Sequence, residues 1–163
     1  MLRLDKRAVL DALRERVERD LTALTSSQEA MQEGATHEEA RPESDKDTRA
    51  TEASYLARGL AKRVTELQKA GSLLANLALQ RFGAGDPAAL SALVTTCDED
   101  DKTQRYFLAP AGGGMRLVVR GVAVGIVTPD APLGDALLGK RAGDDVELET
   151  PQGLRVLSIV SVE

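Results

Sequence analysis

The first half of the chain has the apolar spacing of paired helices. In a first run apolar residues recur every seven positions, at Leu10, Val17, Leu24 and Met31, and Leu13 and Leu21 fill the neighbouring stripe. In a second run apolar or small residues alternate steps of four and three, at Ala53, Ala57, Leu60, Val64, Leu67, Gly71 and Leu74. Such a seam buries one narrow face against a partner helix. Two runs joined by a polar stretch predict an antiparallel helical hairpin, a coiled coil over residues 1–82.

The second half has strand-like segments separated by turn residues, because most of the glycines and prolines lie there. The pattern predicts six strands, at Leu90–Thr96, Thr103–Ala109, Met115–Arg120, Val122–Val127, Val146–Glu149 and Leu154–Val162. Between the fourth and fifth strands, the segment Pro132–Lys140 predicts a short helix that stops at Gly139. The expected fold class is α+β, with a helical hairpin followed by a small antiparallel sheet domain that carries one short helix. We expect a linker at 83–88 and the sheet domain at 89–163.

Composition and charge exclude several classes of function. The 163 residues carry 21 basic and 26 acidic side chains, a formal charge of −5, and only 2% are aromatic. An acidic chain with few rings lacks the surface that binds DNA or RNA independently. No apolar run approaches the ~20 residues of a membrane helix, and charges interrupt the N-terminus where a signal peptide would be apolar. We therefore expect a cytoplasmic protein that does not associate with membranes.

A cluster of acids falls between the two helical runs. Residues 33–47 contain six carboxylates against Arg41 and Lys46. Several carboxylates at the far end of a hairpin suit Mg²⁺ when another molecule supplies the remaining ligands. The alternative is structural: Pro42 begins a helix, Ser44 caps it, and acids in the first turn complement the helix dipole. An acidic, solvated bend is equally compatible with this composition.

The second half also contains a spaced motif. Residues 127–140 read V-T-P-D-A-P-L-G-D-A-L-L-G-K, and Ala142–Val146 (A-G-D-D-V) and Thr150–Gly153 (T-P-Q-G) follow. This motif, after a helical hairpin with an acidic tip, resembles the Gre transcript-cleavage factors of bacterial RNA polymerase. Two positions depart from the family pattern, because Ala131 stands where serine is usual and Gln152 replaces a glycine.

The resemblance implies a C-terminal domain with an FKBP-like fold that docks on the rim of the polymerase secondary channel. It assigns docking to the segment 130–140, with partner contacts from Asp130, Pro132, Leu133, Leu137 and Lys140. The helical rod would then enter the channel and bring its tip to the polymerase active site. Prolyl isomerase activity does not follow from such a fold. Tyr106 and Phe107 alone supply too few rings for that pocket.

The resemblance also points to particular tip residues. Aligning the family's Ala-Ala-Arg with Leu56-Ala57-Arg58 places the family's tip aspartate on Asp47 and its glutamate on Ala50, so half of the acidic pair carries over. We expect Asp47, with Asp45 and Glu43 as auxiliaries, to act at the polymerase active site. Asp47 and Asp45 are the expected metal contacts. The chain needs no cofactor of its own, since any Mg²⁺ would be shared with the polymerase.

The function that the resemblance implies is that of an accessory factor rather than an enzyme. It would bind bacterial RNA polymerase as a monomer, contact transcript RNA only indirectly, and modulate elongation or stimulate cleavage of backtracked RNA. One alternative is a secondary-channel inhibitor without cleavage stimulation. The other is a coiled-coil adaptor unrelated to transcription. Complex formation with core polymerase separates the adaptor from both Gre-like functions.

Overall fold

The computed structural model describes residues 4–38 and 46–163. Its elements are α1 (Lys6–Glu38), α2 (Lys46–Ala75), β1 (Leu93–Asp98), β2 (Thr103–Leu108), β3 (Arg116–Val119), β4 (Val122–Val127), α3 (Pro132–Leu137), β5 (Asp145–Thr150) and β6 (Gly153–Val162). The α+β class expected from the sequence is confirmed: two long helices precede a six-stranded sheet with one short helix. Within the described residues, no helix has the length and apolarity needed to cross a bilayer.

Residues 15–71 of the two long helices form one compact unit. Leu24 of α1 and Leu60 of α2 line the same groove. Met31 of α1 and Leu56 of α2 line this groove and a second one. Later residues of α1 therefore face earlier residues of α2, as an antiparallel hairpin requires. The apolar seam is buried at Val17 and Leu67 but opens along the helices, where Met31 is 49% exposed and Ala57 is also exposed. The alanines that α2 contributes to this part of the seam are too small to fill it.

The other compact unit joins the first turns of α1, through Arg14, to residues 72–163. Leu13 is fully buried, and its Cδ1 would lie 2.9 Å from a Cβ built on Gly112, in the loop after β2. The Arg14 guanidinium donates to the Leu74 carbonyl, with Nη2 2.8 Å away, and so caps the end of α2. The base of the hairpin thus belongs with the sheet. The boundary at 83–88 stays a prediction from composition.

The sheet has the strand order β3-β4-β2-β1-β6-β5. Every neighbouring pair is antiparallel except β2 and β4, which are parallel, so the sheet is mixed rather than wholly antiparallel as predicted. The reason is topological. After β2 the chain forms β3 two positions away in the sheet and reverses direction in a tight hairpin turn. β4 then fills the position between β3 and β2 and runs parallel to β2.

The predicted strands correspond closely to those observed, and the largest difference is at β1. This strand begins at Leu93 rather than Leu90, because Ser91 adopts a left-handed backbone with φ of 70°. Ser91 is fully buried, and its hydroxyl accepts a hydrogen bond of 2.8 Å from the Gln80 backbone N–H. A turn held in this way precedes the strand and delays its start.

The main core lies between one face of the sheet and α3. Its fully or nearly fully buried members are Ala88, Ala92, Val94, Leu108, Val127, Leu137, Val146, Leu157 and Ile159. Because side chains alternate across a strand, Tyr106 shares the face of Leu108, whereas Phe107 points to the opposite face and is fully buried there. Tyr106 and Phe107, which are adjacent in β2, therefore lie on opposite faces of the sheet.

Candidate protein-docking site

The predicted docking segment begins with a tight crossing of loop and helix. Gly134, in α3, lies so close to the loop that a Cβ on it would stand 1.9 Å from the Thr128 carbonyl oxygen. Pro132 begins the helix, where its missing N–H costs no hydrogen bond. A hydrogen bond from the Thr128 side chain, with one from the Asp130 backbone, holds the pKa of the exposed Asp130 carboxyl below its usual range. The segment is thus a fixed surface feature.

Beside this segment lies an open cavity of about 400 Å³, lined by residues of the sheet and of α3. Its wall is mostly apolar and is formed by Tyr106, Gly114, Met115, Arg116, Gly125, Ile126, Val127, Ala131, Pro132, Leu133, Leu148, Glu149 and Thr150. Arg116 belongs to β3 and Glu149 to β5, the two edge strands of the sheet. Six flat strands would hold those edges about 24 Å apart. The sheet must therefore curl, so that both edges border one cavity.

Tyr106 and Gly125 form part of the cavity wall where β2 and β4 pair. A Cβ on Gly125 would lie 3.0 Å from Cδ1 of Tyr106, so the glycine leaves room for the ring. The Tyr106 hydroxyl donates to Oε1 of Gln104. Burial raises the pKa of Tyr106, and the positive charges of Arg116 and Arg155 oppose that effect. The ring presents an apolar face while its hydroxyl keeps a partner.

The charged groups around the cavity differ in their pairing. Arg155 lies 3.5 Å from a carboxylate oxygen of Asp98, and the other oxygen of Asp98 accepts the backbone N–H groups of Asp100 and Lys102. Asp98 therefore holds the β1–β2 turn and balances Arg155. Across residues 4–34 and 48–163, neither Arg116 nor Glu149 has an ion pair or a side-chain hydrogen bond. Arg116 pairs with Gly125, as Tyr106 does, and shares the cavity face, whereas alternation along β5 puts the Glu149 side chain on the face opposite Leu148.

The structure places the five predicted docking residues differently. Pro132 is exposed and Leu133 half-buried, and both line the cavity. Asp130 and Lys140 are exposed outside its wall. Leu137 is fully buried in the core. Its predicted contact with a partner is therefore corrected: Leu137 supports α3 from within the domain.

The predicted tip residues are described less fully. Glu43 and Asp45 lie outside the described residues, and Asp47 belongs to the first turn of α2, although its side chain is also outside the described part. Ala50 is exposed on α2. Among the side chains that the structure describes, no group of three or more His, Cys, Asp or Glu is arranged to hold a metal ion. The tip roles and the metal contacts remain predictions.

Sequence reasoning missed the part of the cavity that comes from the sheet. Tyr106, Gly125 and Leu148 belong to strands that are separated along the chain and meet only through the strand order. Two local signals were available. Alternation places Tyr106 on the same face as Leu108, and a glycine inside a strand marks a position where another group approaches closely. Neither signal indicates that the two sheet edges border one cavity.

Comparisons with known proteins match the second half most clearly. The family model described as "Transcription elongation factor, GreA/GreB, C-term" matches residues 119–163, which include most of the cavity wall. Transcription elongation factor GreA of Sphingopyxis alaskensis is 30% identical over 80 residues, 49% of this chain and 47% of that protein. GreA of Xanthomonas axonopodis pv. citri is 30% identical over 101 residues, 61% of this chain and 60% of that protein.

Among solved structures, GreA factor homolog 1 of Thermus thermophilus is 20% identical and covers 93% of this chain and 95% of its own, with a TM-score of 0.39. The matched region spans 47% and 60% of the two GreA proteins. The chain thus spans only part of the length of these relatives.

Proposed function

Since these comparisons support a Gre-family protein, we propose that the chain is an accessory elongation factor that binds bacterial RNA polymerase in the cytoplasm. Its sheet domain docks as a monomer on the rim of the secondary channel. The observation that carries this proposal is the apolar cavity beside α3, with Pro132 and Leu133 at its edge. A few anchor residues in desolvated pockets supply most of the free energy at protein interfaces, and a cavity of this kind receives such an anchor.

The helical hairpin then enters the channel. Its residues 46–75 form a continuous helix, and its other arm runs through Glu38. The acidic cluster of residues 33–47 therefore spans the end of the first arm and the start of the second in sequence. Charge attracts such carboxylates to a metal-bearing active site, more strongly as water is excluded. Asp47, with Asp45 and Glu43, would approach the catalytic Mg²⁺ of the polymerase. That ion belongs to the polymerase, and the chain contributes carboxylate oxygens.

The alanine at position 50 favours regulation over strong cleavage stimulation. The family's second tip acid aligns with Ala50, and a methyl side chain offers no oxygen to orient an attacking water. One carboxylate at Asp47 is able to ligate an ion, but it leaves the water without a second acceptor. The chain would then occupy the channel and slow or modulate elongation.

A transcript-cleavage assay on backtracked elongation complexes tests this proposal, together with sedimentation of the chain with core polymerase. The expected result is a stoichiometric complex with weak cleavage stimulation, which Ala50→Glu increases. Strong cleavage by the unaltered chain would refute the regulatory assignment but keep the Gre-like function. Absence of any complex would favour the coiled-coil adaptor.

A further inference from the structure

One charged side chain faces the cavity beside α3. Of the described residues that line this cavity, only Arg116 and Glu149 are charged. Arg116 shares the cavity face with Tyr106, whereas the Glu149 side chain lies on the opposite face. The Arg116 guanidinium has no ion pair or side-chain hydrogen bond among the described side chains. The cavity therefore offers a positive charge that no described side chain pairs with.

The surroundings of Tyr106 keep this part of the cavity positive. Burial raises the pKa of Tyr106, and the positive charges of Arg116 and Arg155 lower it, so both charges act on the hydroxyl. Arg155 is balanced by Asp98 at 3.5 Å, and the Tyr106 hydroxyl donates to Gln104. A guanidinium carries five N–H donors. Arg116 is therefore the group left to receive an anion.

The rest of the wall suits a hydrocarbon body. It includes the ring of Tyr106 from β2, Pro132 and Leu133 from α3, and Leu148 from β5. The cavity measures about 400 Å³, which lies in the range of small-molecule sites with apolar walls and a few polar groups. Arg116 would repel a cation, and a single guanidinium offers too little charge for a polyphosphate. A small monoanion with an apolar body satisfies both features.

We propose that the cavity binds a small monocarboxylic acid, with its carboxylate on Arg116 and its apolar body along Tyr106 toward Leu148. A planar guanidinium and a carboxylate match as a bidentate pair. This binding goes beyond the proposed function, because it needs only this chain. The acid would also compete with RNA polymerase for the same cavity, and that consequence alone rests on the proposed function.

Calorimetric titration of the full chain with octanoate tests the site, and octanol and octylammonium serve as probes that differ in the head group. Octanoate should bind most tightly, and hexanoate on the order of tenfold more weakly, because it buries two fewer methylene groups. Arg116→Gln should weaken octanoate binding about fivefold, the size expected for an exposed ion pair, and leave octanol binding unchanged.

Arg120→Gln is the matched control, since Arg120 is exposed directly after β3 and does not line the cavity. This variant should bind octanoate as the unaltered chain does. Equal octanoate affinities for the Arg116 variant and the unaltered chain would overturn the inference. Failure of the unaltered chain to bind octanoate below the concentration at which micelles form would also overturn it.

Amide NMR signals locate the bound acid. Octanoate should shift the signals of Gly125 and Leu133, which line the cavity, and not that of Gly59, which lines an apolar groove of the helical hairpin. Shifts confined to the hairpin would overturn the inference. Octanoate bound at the cavity without displacing core RNA polymerase would support the acid site and contradict docking through this cavity. A chain that binds octanoate there but no polymerase would overturn the proposed function alone.

Discussion

Gly134 packs directly against the backbone of Thr128, so that a Cβ at this position would lie 1.9 Å from the Thr128 carbonyl oxygen. We expect Gly134→Ala to destabilise the sheet domain by about 3 kcal/mol or more, because a backbone atom cannot yield as a flexible side chain does. Urea denaturation followed by circular dichroism measures the change.

Gly59→Ala is the matched control for this prediction. Gly59 lies inside α2, where an added Cβ would meet nothing within 4 Å and the backbone is not left-handed. Alanine favours a helix over glycine by about 1 kcal/mol, so this substitution should stabilise the helical hairpin. Equal effects of the two substitutions would show that the Gly134 crossing is not as tight as described.

Thr96 is fully buried in β1, and its hydroxyl has no hydrogen-bond partner among the described residues. A buried polar group without a partner costs free energy, so Thr96→Val should raise the free energy of unfolding by about 1 kcal/mol. Thr96→Ser keeps the hydroxyl and deletes a buried methyl group, and it should lower stability by a similar amount. Loss of stability in the valine variant would indicate that the hydroxyl has a partner, such as bound water.

Tyr106 makes stability sensitive to alkaline pH. Burial raises its pKa in the folded chain above the ordinary value of 10.0. As pH rises through 10, the unfolded chain therefore loses this proton first, and the free energy of unfolding falls until the folded pKa is passed. Absorbance at 295 nm in a Tyr55→Phe background follows Tyr106 alone. A Tyr106→Phe variant should lose this part of the pH dependence; an unchanged profile would assign it elsewhere.

The acidic tip gives a prediction that separates docking from the effect on transcription. The Asp45→Asn/Asp47→Asn double variant should lose its effect on elongation, because a neutral amide lacks the negative charge that attracts the tip to the metal. Its affinity for core polymerase should stay within about threefold of the unaltered chain, since the sheet domain is intact. Full activity of the double variant would show that the tip is only a solvated bend.

The helices and strands were predictable because each follows from a local pattern of apolar and turn residues. The seam from Leu10 to Met31 and the short apolar run Val122–Val127 require no knowledge of the rest of the chain. The parallel pairing of β2 with β4 was not predictable in this way, since it depends on where β3 lies. The burial of Leu137 was also not predictable, because a short helix does not indicate by itself whether Leu137 or Leu138 faces the core.

Some residues of the candidate site were likewise predictable from the sequence and others were not. Pro132 and Leu133 were found because they are contiguous and belong to a recognisable motif. Tyr106, Arg116 and Leu148 come from three different strands and share a site only because the sheet curls. Sequence patterns fix the period of each strand, whereas curvature depends on the packing of the whole sheet.

The affinity of the chain for core RNA polymerase, compared between two aspartate variants, tests the central claim that the cavity docks the protein. Leu133 is half-buried in the cavity wall, whereas Val160 is 54% exposed outside it. We predict that Leu133→Asp, folded by circular dichroism, raises the Kd about 30-fold or more, the equivalent of about 2 kcal/mol. Val160→Asp should leave the Kd unchanged. Equal Kd values for the unaltered chain and a folded Leu133→Asp variant would contradict docking through this cavity.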